Sequence, residues 1–283
     1  MTKQLTISCE FFPPKTDKGI ANMREVRQIL APLNPEFYSV TFGAGGSTQD
    51  NTLAAVIDIQ QDSAVTGIDA APHLSCVGST EDSIRGLLDT FRENNIRRIV
   101  ALRGDLPSGM RDPGDFRYAN ELIDFIRKET GDHFTIEVAA YPEVHPQADS
   151  AAIDLENFKR KVDAGADSAL TQYFYNIDAY FYFVERCQKA GIEIPIIPGI
   201  MPINNFSQLA RFSDGCGAEI PRWLRKRLEE FGDDPESLQD FTLDFLTGFT
   251  EKLIESGVPG LHFYTMNRID PTLTICQRLG LIK

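Results

Sequence analysis

The chain alternates short β-rich segments with helical ones along its whole length. Eight strands that alternate with helices in 283 residues are typical of a (β/α)8 barrel. A doubly wound open sheet is the alternative, but the Gly-rich dinucleotide fingerprint expected after its first strand is missing. The eight β-rich segments are LTISCEFF (5–12), FYSVTFG (37–43), DAAPHLSC (69–76), RRIVALRG (97–104), TIEVAAYPE (135–143), SALTQYFY (168–175), IPIIPGIM (194–201) and GLHFYTMN (260–267).

The helical segments support this assignment and place extra helices late in the chain. Segment 149–165 is the clearest, with Asp149 or Ser150 as its N-cap and apolar residues at helical spacing. The interval 202–259 is about twice as long as the others, which predicts two or three helices between strands 7 and 8. No linker or break in composition interrupts the pattern, so we predict a single α/β catalytic domain over residues 1–283.

The charge balance and the hydropathy pattern exclude several classes of protein. A net charge of −13 argues against sequence-independent binding to nucleic acid, which needs a basic surface. No apolar run reaches the roughly 18 residues of a membrane span, and MTKQLTISC has no apolar core of a signal peptide. The five cysteines are scattered without CxxC or zinc spacing, which favours reduced thiols in a cytoplasmic protein.

Polar side chains recur where the predicted strands end. In a (β/α)8 barrel the catalytic groups cluster at the carboxyl ends of the strands. Each of these side chains alone has an ordinary explanation, such as a helix cap or a satisfied core histidine, but their coincidence at one rim predicts a functional site. Seven of the eight strands contribute: Glu10; Thr41; His73; Arg103 with Asp105; Tyr141, Glu143 and His145; Gln172; and Tyr264, Asn267 and Arg268.

Metal, Schiff-base and P-loop chemistry are not favoured at this rim. The histidines and acids show no HxH, HExxH or paired-histidine spacing, so no metal site is predicted. Lys159 and Lys161 belong to the helix after strand five, whereas a Schiff-base lysine is expected on a strand. GAGGS (43–47) is too short and too early in its loop to indicate a P-loop.

A second group of side chains near the rim suits a planar ligand that carries phosphate. Aromatic rings offer flat apolar surfaces, and a few cations stand out in an otherwise acidic protein. Core packing is the alternative for the rings, and it is the one we expect for Phe174. The rings are those of Phe42, Tyr118, Tyr141, Tyr173 and Phe174, and the cations are Arg103, Arg160 and Lys161.

Three stretches go beyond a generic pattern: EFFPPK (10–15), ALRGDLP (101–107) and AAYPEVHPQA (139–148). Together they resemble the methylenetetrahydrofolate reductase family in its short bacterial form. Because the chain stops after the barrel, the regulatory domain of the eukaryotic members is not expected. Further matches follow in the same order at APHL (71–74), KRKVDAGAD (159–167), LTQYFYN (170–176), IIPGIMPI (196–203) and HFYTMNR (262–268).

The resemblance implies an FAD-containing barrel that reduces 5,10-methylenetetrahydrofolate to 5-methyltetrahydrofolate with NADH or NADPH, supplying methyl groups for methionine synthesis. It implies that Glu10 is the general acid and that Asp105 lies near the flavin and the pterin ring. The substrate contacts that it implies are Asp105, Gln172, Gln208 and Arg268. The implied FAD contacts are Thr41, Phe42, Ala44, His73, Arg103, Gly104, Asp105, Tyr118, Tyr141, His145, Ala148, Asp154, Asn157, Arg160 and Lys161.

The spacing of three of these residues is coherent with the implied cofactor. Asp154, Asn157 and Lys161 share one helix face, which can offer a carboxylate to ribose hydroxyls and an ammonium group to pyrophosphate. Two positions depart from the family pattern. Phe42 stands where a tyrosine is often found, which puts a phenol hydrogen bond to the flavin in doubt, and Asn176 stands where an aspartate often follows the aromatics.

The implied reaction has two half-reactions at one site. The nicotinamide reduces the flavin and leaves, and the folate then takes its place and opens to a 5-iminium cation when N10 is protonated. A negative Asp105 would stabilise that cation. Burial beside Phe11, Phe12 and the two prolines is expected to raise the pKa of Glu10, so that it holds a proton near neutral pH.

Two other functions remain open at this stage. One is a different flavin barrel, such as a proline dehydrogenase-like enzyme, and the other is a non-catalytic flavin or folate carrier that has kept the fold. The expected partners are the folate and the nicotinamide cofactor, with neither nucleic acid nor membrane. We also expect a homo-oligomer.

Overall fold

The computed structural model describes residues 5–42, 49–104, 114–232 and 234–282. Within these ranges nine parallel strands form one sheet, in which every ladder joins two strands that are consecutive in the chain except the ladder between the first strand and the last. The strands are β1 (Thr6–Phe11), β2 (Phe37–Val40), β3 (Asp69–Ser75), β4 (Arg98–Leu102), β5 (Thr135–Ala140), β6 (Ser168–Thr171), β7 (Ile196–Ile197), β8 (Gly199–Ile200) and β9 (Gly260–Tyr264).

The predicted seventh strand is observed as two short pieces on either side of Pro198. The first piece, β7, pairs with β6, and the second piece, β8, pairs with β9. Proline has no N–H to donate to a ladder, but the Pro198 carbonyl accepts a hydrogen bond from the His262 N–H at 3.0 Å. The two pieces therefore complete the circle between β6 and β9, which gives eight strand positions and confirms the predicted (β/α)8 barrel.

Helices pack around the outside of the barrel. Ser150 caps α5 by accepting a hydrogen bond from the Ile153 N–H at 3.3 Å, as the sequence indicates. The interval between β8 and β9 contains α7, α8 and α9 among the described residues, in agreement with the predicted extra helices. The helices are α1 (Asp17–Leu30), α2 (Gln49–Thr66), α3 (Glu81–Glu93), α4 (Ala119–Thr130), α5 (Ala151–Asp163), α6 (Ile177–Lys189), α7 (Phe206–Cys216), α8 (Arg222–Phe231), α9 (Pro235–Glu255) and α10 (Thr272–Arg278), with a 3₁₀ turn at Ala31–Leu33.

None of the helices in the described ranges is long and apolar enough to cross a bilayer. The five cysteines are all free thiols. Burial is the largest effect on Cys76 and raises the pKa of its thiol to about 12.

Alternation along the strands divides the apolar side chains into two cores. On β1, Ile7, Cys9 and Phe11 belong to the large outer core between the strands and the helices. Ser8 and Glu10 occupy the alternate positions and face the barrel interior, because side chains on a strand alternate between its two faces. A smaller inner core fills the middle of the barrel with Phe37, Ala71, Val100, Leu170 and Ile197.

A buried ion pair closes the amino-terminal end of the barrel. Arg98 contacts the carboxylate of Glu137, which is fully buried, and its guanidinium lies 4.5 Å from the centre of the Phe37 ring. Arg98 also contacts Glu36 at 2.5 Å, and the Ser168 hydroxyl donates to Glu137. Because charged and aromatic groups fill this end, the opposite, carboxyl-terminal end is the one left for ligands.

Candidate active site

A cavity of about 200 Å³ lies at the carboxyl-terminal end of the barrel. Strands β1, β3, β4, β5, β6 and β9 each contribute to its wall, as expected when parallel strands end at one rim. It brings together five of the predicted rim residues, each from a different strand: Glu10, His73, Tyr141, Gln172 and Tyr264. Its lining residues are Glu10, His73, Val100, Leu102, Ala139, Tyr141, Leu170, Gln172, His262 and Tyr264.

The backbone around Glu10 is fixed by the segment that follows β9. The Thr265 hydroxyl donates to the Glu10 carbonyl at 2.6 Å. The Asn267 side chain accepts from the Phe12 N–H at 2.8 Å and donates to the Phe12 carbonyl at 2.9 Å. Asn267 adopts a left-handed φ of 56°, which asparagine tolerates better than most residues. The end of β1 is thereby held in register with the end of β9.

The Glu10 carboxylate lies between two histidines. Its Oε2 is 3.2 Å from Nε2 of His73 and 3.6 Å from Nε2 of His262. Neither of these two nitrogens forms a hydrogen bond with good geometry. The contacts with Glu10 are therefore close electrostatic contacts. Although two histidines and a carboxylate meet here, the described residues include no group placed to hold a metal ion.

The expected rise in the pKa of Glu10 is wrong in direction. Burial is the largest single effect and acts to raise the pKa, but the interactions with His73 and His262 together outweigh it and lower the pKa to about 2. A nearby opposite charge favours the ionised form of a carboxyl group. Glu10 is therefore a carboxylate held by histidines rather than an isolated neutral acid.

Tyr264 forms the wall of the cavity beside β6. Its hydroxyl donates to the Thr171 carbonyl at 2.8 Å, which ties the end of β9 to the end of β6 across the split strand. A side chain at Gly199 would stand 2.7 Å from the Tyr264 ring and closer still to the Thr171 carbonyl. Glycine at this position therefore lets the Tyr264 ring approach the backbone closely.

A shallow groove of about 160 Å³ adjoins the cavity, and Tyr141 lines both. It runs over the loop after β4, the start of α4, the loop after β5 and one face of α5. Nine of its lining residues are among the predicted cofactor contacts: Arg103, Tyr118, Tyr141, His145, Ala148, Asp154, Asn157, Arg160 and Lys161. The others are Ala119, Asn120, Gln147 and Phe158.

Lys161 is a partly buried cation at the inner end of this groove. Its ammonium group donates to the Ala139 carbonyl at the end of β5 and lies 5.4 Å from the centre of the Phe158 ring. Burial lowers the pKa of Lys161 to about 8, although the nearby Asp154 carboxylate acts in the opposite direction. Desolvation of this kind leaves an ammonium group with a strong affinity for an anion that enters the groove.

Polar contacts within the loop after β5 organise the remainder of the groove. Asp154 accepts a hydrogen bond from the His145 N–H at 3.0 Å, and Nδ1 of His145 accepts one from the Gln147 N–H at 3.1 Å. The His145 ring meets the Tyr141 ring edge-on, with 4.5 Å between their centres. Gln147 in turn accepts a hydrogen bond from Arg103 across the groove.

Comparison with known proteins identifies the family of this chain. A family model described as methylenetetrahydrofolate reductase matches residues 1–280. The 5,10-methylenetetrahydrofolate reductase of Escherichia coli K12 is 42% identical over 277 residues, which cover 98% of this chain and 91% of that protein. The chain belongs to the methylenetetrahydrofolate reductase family.

One further relative and one solved structure extend this comparison. The enzyme named methylenetetrahydrofolate reductase (NADH) 1 of Arabidopsis thaliana is 39% identical over 292 residues, which cover 99% of this chain but 49% of the plant protein. A solved structure of an uncharacterised protein from Clostridium thermocellum superimposes with a TM-score of 0.68 at 15% identity and covers 100% of this chain and 97% of that one. This structural likeness shows the fold.

Several residues predicted from the family pattern lie away from these two cavities. Thr41 and Phe42 follow β2, and Gly104 follows β4 with a left-handed φ of 84°. Gln208 lies in the first turn of α7, where its N–H donates to the capping side chain of Asn205, and Arg268 follows β9. All five stand on the carboxyl-terminal side of the barrel but line neither cavity. Ala44 and Asp105 fall outside the described residues.

The family pattern led to two further outcomes. Asn176, which departs from the aspartate common in methylenetetrahydrofolate reductases, caps α6 by accepting a hydrogen bond from the Asp178 N–H at 3.1 Å. Asparagine and aspartate are equally good at this position, so the departure has a simple structural explanation. The prediction omitted His262 and its neighbour Ser8, although both occupy inward-facing positions on strands that the alternation of apolar residues had identified.

Proposed function

We propose that this protein reduces 5,10-methylenetetrahydrofolate to 5-methyltetrahydrofolate with NADH or NADPH, through bound FAD, in two half-reactions at one site. The product would supply methyl groups for methionine synthesis in the cytoplasm. We further propose that the chain forms one catalytic domain and that it assembles as a homo-oligomer. Membership of the family supports the reductase activity. The geometry of the site supports cofactor binding in the groove and the reaction with the folate in the cavity.

The observation that carries this proposal is the continuity of the groove and the cavity through Tyr141. The groove offers cations and aromatic rings, and the cavity offers an acid paired with histidines. A cofactor with a long polar tail and a flat reactive ring needs both kinds of surface, because the tail must be anchored while the ring meets the substrate. In this protein the two surfaces share a wall.

The groove residues fit FAD by their chemistry. Lys161 and Arg103 supply positive charge for a pyrophosphate, and Asp154 supplies a carboxylate for ribose hydroxyls. The half-exposed Tyr118 ring at the start of α4 offers a flat surface for an adenine. Bound FAD would accept a hydride from the nicotinamide and give it to the folate. The protein itself supplies position, charge and protons.

The cavity residues fit the second half-reaction. Glu10, held between His73 and His262, would deliver the proton that N10 of the folate needs for its ring to open. Because the carboxylate is ionised in the protein as it stands, we propose that the acid is the Glu10–histidine cluster and that Glu10 is the group that meets N10. We propose that Gln172, which also lines the cavity, hydrogen-bonds the pterin ring, and that Asp105, Gln208 and Arg268 are further folate contacts.

Names of related proteins support the ligands. The Clostridium thermocellum protein is described as binding two copies of 5-methyl-5,6,7,8-tetrahydrofolic acid, which supports a reduced folate as a ligand of this fold. The name of the Arabidopsis thaliana relative specifies NADH, which supports a nicotinamide as the electron donor. Either nicotinamide is compatible with the proposal.

An anaerobic titration tests the proposed function directly. The purified protein is expected to be yellow, to lose its flavin absorbance when NADH or NADPH is added, and to regain it with 5,10-methylenetetrahydrofolate. A non-catalytic carrier would do neither. A proline dehydrogenase-like enzyme would not be reoxidised by the folate. A colourless protein that gains activity from zinc would contradict the proposal as a whole.

A further inference from the structure

A buried histidine lies beneath Glu10, on the side away from the open end of the barrel. His262 of β9 has no exposed surface. Its Nε2 is 3.6 Å from Oε2 of Glu10, and its Nδ1 is 2.8 Å from Oγ of Ser8. Each ring nitrogen therefore faces one inward side chain of β1, the acid on one side and the hydroxyl on the other.

The orientation of this imidazole is fixed by packing. The Phe37 ring stacks on it with 6.2 Å between centres, and the Tyr264 ring meets it edge-on at 5.2 Å. Because close-packed rings in a barrel interior do not rotate freely, Nε2 stays directed at Glu10. The contact between Nδ1 and the Ser8 hydroxyl then governs which nitrogen carries the proton in the neutral ring.

The surroundings of His262 make the Glu10 carboxylate its main electrostatic partner. Strand β8 presents Gly199 opposite His262 and therefore adds no charge. Arg98 packs on the Phe37 ring, which also stacks on His262. The titratable and charged groups around this histidine are Glu10 on β1, His73 on β3 across the same carboxylate, Tyr264 on its own strand and, through the shared Phe37 ring, Arg98 on β4.

We propose that His262 is a positioning residue that orients Glu10 and supplies it with the proton that Glu10 gives to the folate. This inference rests on the proposed role of Glu10 as the proton donor. Although His262 lines the inner part of the cavity, its two ring nitrogens face Glu10 and Ser8, so it acts through Glu10 rather than on the substrate itself. His73, at the rim, lacks a hydroxyl partner of this kind among the described residues.

The proton balance of this step is simple. Before it, the imidazolium of His262 carries a proton on each nitrogen and Glu10 is ionised. As Glu10 passes a proton to N10 of the folate, its carboxylate takes the Nε2 proton of His262. Glu10 thus ends ionised as it began, and His262 ends neutral with its remaining proton on Nδ1, donated to Ser8. In total His262 loses one proton and N10 of the folate gains one. Solvent returns a proton to His262 between turnovers.

An ionised carboxylate alone would be a poor acid. The pKa of Glu10, lowered to about 2 by the two histidines, leaves it without a proton near neutral pH. Histidine is the side chain that ordinarily titrates between about pH 5 and 8, which is the range in which a proton donor is most effective. The pair combines the reach of the carboxylate with an imidazole that can hold a proton for it.

The test uses two variants of the full-length protein with its flavin bound. His262→Asn keeps a polar group beside Ser8 but has no atom at the position of Nε2, and Ser8→Ala removes one hydroxyl from the other side of the ring. Stopped-flow absorbance at a series of pH values measures each half-reaction separately. We expect His262→Asn to slow reoxidation by the folate about 10- to 100-fold, the usual effect of losing the position of a reacting group.

The pH profile distinguishes this role from packing. In the wild-type protein the rate of reoxidation should fall as pH rises through the histidine range, and in His262→Asn this dependence should disappear. Ser8→Ala should slow the same half-reaction less and shift the same part of the profile. Reduction of the flavin by the nicotinamide, which does not draw on this proton, should be unchanged in both variants.

A spectroscopic measurement gives a readout that does not depend on turnover. The chain contains four histidines, so ¹⁵N-labelled imidazole spectra are simple, and the signals missing in His262→Asn identify His262. The Nε2 signal of His262 should move when Glu10 is replaced by glutamine, and the balance between the protons on Nδ1 and Nε2 should change in Ser8→Ala. A His262 signal indifferent to both replacements would overturn the inference.

The outcomes separate this inference from the function on which it rests. If Glu10→Gln is slow in the folate half-reaction while His262→Asn and Ser8→Ala match the wild type in rate and pH profile, His262 is only a packing residue. If Glu10→Gln is itself as fast as the wild type, Glu10 is not the proton donor and the proposed function fails at that point. Should His262→Asn lose its flavin or fail to fold, Ser8→Ala decides the question.

Discussion

Individual residues of this site take their chemistry from partners that are distant in the sequence. The alternation along β1 correctly directs Glu10 toward the barrel interior, and the rings and prolines that follow it suggest a desolvated acid. The pKa changes in the opposite direction because His73 and His262 approach from β3 and β9. Which residue of one strand meets which residue of another depends on the register between strands, and the sequence alone does not specify it.

The lowered pKa of Glu10 predicts how stability depends on pH. Since the pKa falls from 4.5 to about 2 on folding, the ion cluster contributes fully above about pH 4.5 and loses its contribution as pH falls toward 2. The free energy of unfolding of the wild type should therefore decrease over this range relative to Glu10→Gln, as urea denaturation at each pH would measure. Glu25→Gln, on the exposed face of α1, should follow the wild type; parallel curves for all three proteins would contradict the prediction.

Lys161 provides a second pH-dependent property, namely the affinity for the cofactor. Its ammonium group should bind a pyrophosphate only while it is protonated, so FAD affinity of the apoprotein should fall as pH rises past about 8. Lys161→Gln should bind FAD about 10- to 100-fold more weakly, the usual loss of one charge-assisted hydrogen bond, and should show little of this pH dependence. Fluorescence titration measures both.

Lys159 is the matched control for this experiment. It lies on the same helix but pairs with Asp163 at 2.7 Å on the exposed side. Lys159→Gln should bind FAD as the wild type does. Equal losses in the two variants would mean that the overall charge of α5, rather than a site at Lys161, attracts the cofactor.

At the scale of secondary-structure elements, the sequence predicts the order of strands and helices better than their ends. The sixth strand was expected over 168–175, whereas β6 ends at Thr171. The aromatic run that follows, Tyr173 to Tyr175, is buried by packing against helices rather than by pairing in the sheet. Apolar composition indicates burial but does not show whether a sheet or a helix buries the side chains. The predicted strands therefore extend beyond the observed ones. The cap of α5 is local and was therefore predictable.

The split strand also predicts the effect of a substitution at Gly199 in β8. A methyl group there would collide with the Tyr264 ring and the Thr171 carbonyl, so Gly199→Ala should push Tyr264 out of the cavity wall. Overpacking of this kind costs about 1–3 kcal/mol, and the folate half-reaction should also slow. Urea denaturation and stopped-flow absorbance measure the two effects.

Gly86 offers the contrasting case on a helix. It lies in α3, where an added methyl group meets nothing within 4 Å. Gly86→Ala should therefore stabilise the protein by roughly 0.4–1 kcal/mol, because it reduces the freedom of the unfolded chain. A destabilisation of similar size in both variants would show that Gly199 is not specially required.

At the scale of the whole molecule, the two ends of the barrel have separate tasks. Periodicity predicts the fold because eight repeats of one pattern reinforce one another, and the rim follows from the fold because parallel strands end together. The placement of Gln208 and Arg268 relative to the cavities could not be predicted, since loops and added helices obey no such repeat. The amino-terminal end, with Arg98 and Glu137, carries charge for stability and is remote from the chemistry.

Loss of Arg98 should therefore affect stability and spare the reaction. Arg98→Met would leave Glu137 buried without its cation, and the breaking of a buried pair costs about 3–5 kcal/mol. Urea denaturation should show this loss, while the nicotinamide half-reaction of the folded protein stays unchanged. Arg278→Met, which breaks an exposed pair with Asp244, should cost less than about 1 kcal/mol. Comparable losses would mean that the Arg98–Glu137 pair is not special.

The interruption at Pro198 has a consequence for the way this barrel opens. The ladders on either side of it join only two residue pairs each, and the proline itself carries no exchangeable amide hydrogen. Local opening has its lowest free energy where the fewest hydrogen bonds must break. Local opening of the barrel should thus begin at the β6–β7 and β8–β9 ladders. Amide hydrogens of residues 196–200 should exchange with deuterium before those of β3 and β4. These ladders adjoin Gly199 and also Tyr264, which lies in the wall of the cavity. Slow fluctuations of the barrel would therefore admit solvent to the cavity through its side wall rather than through its opening.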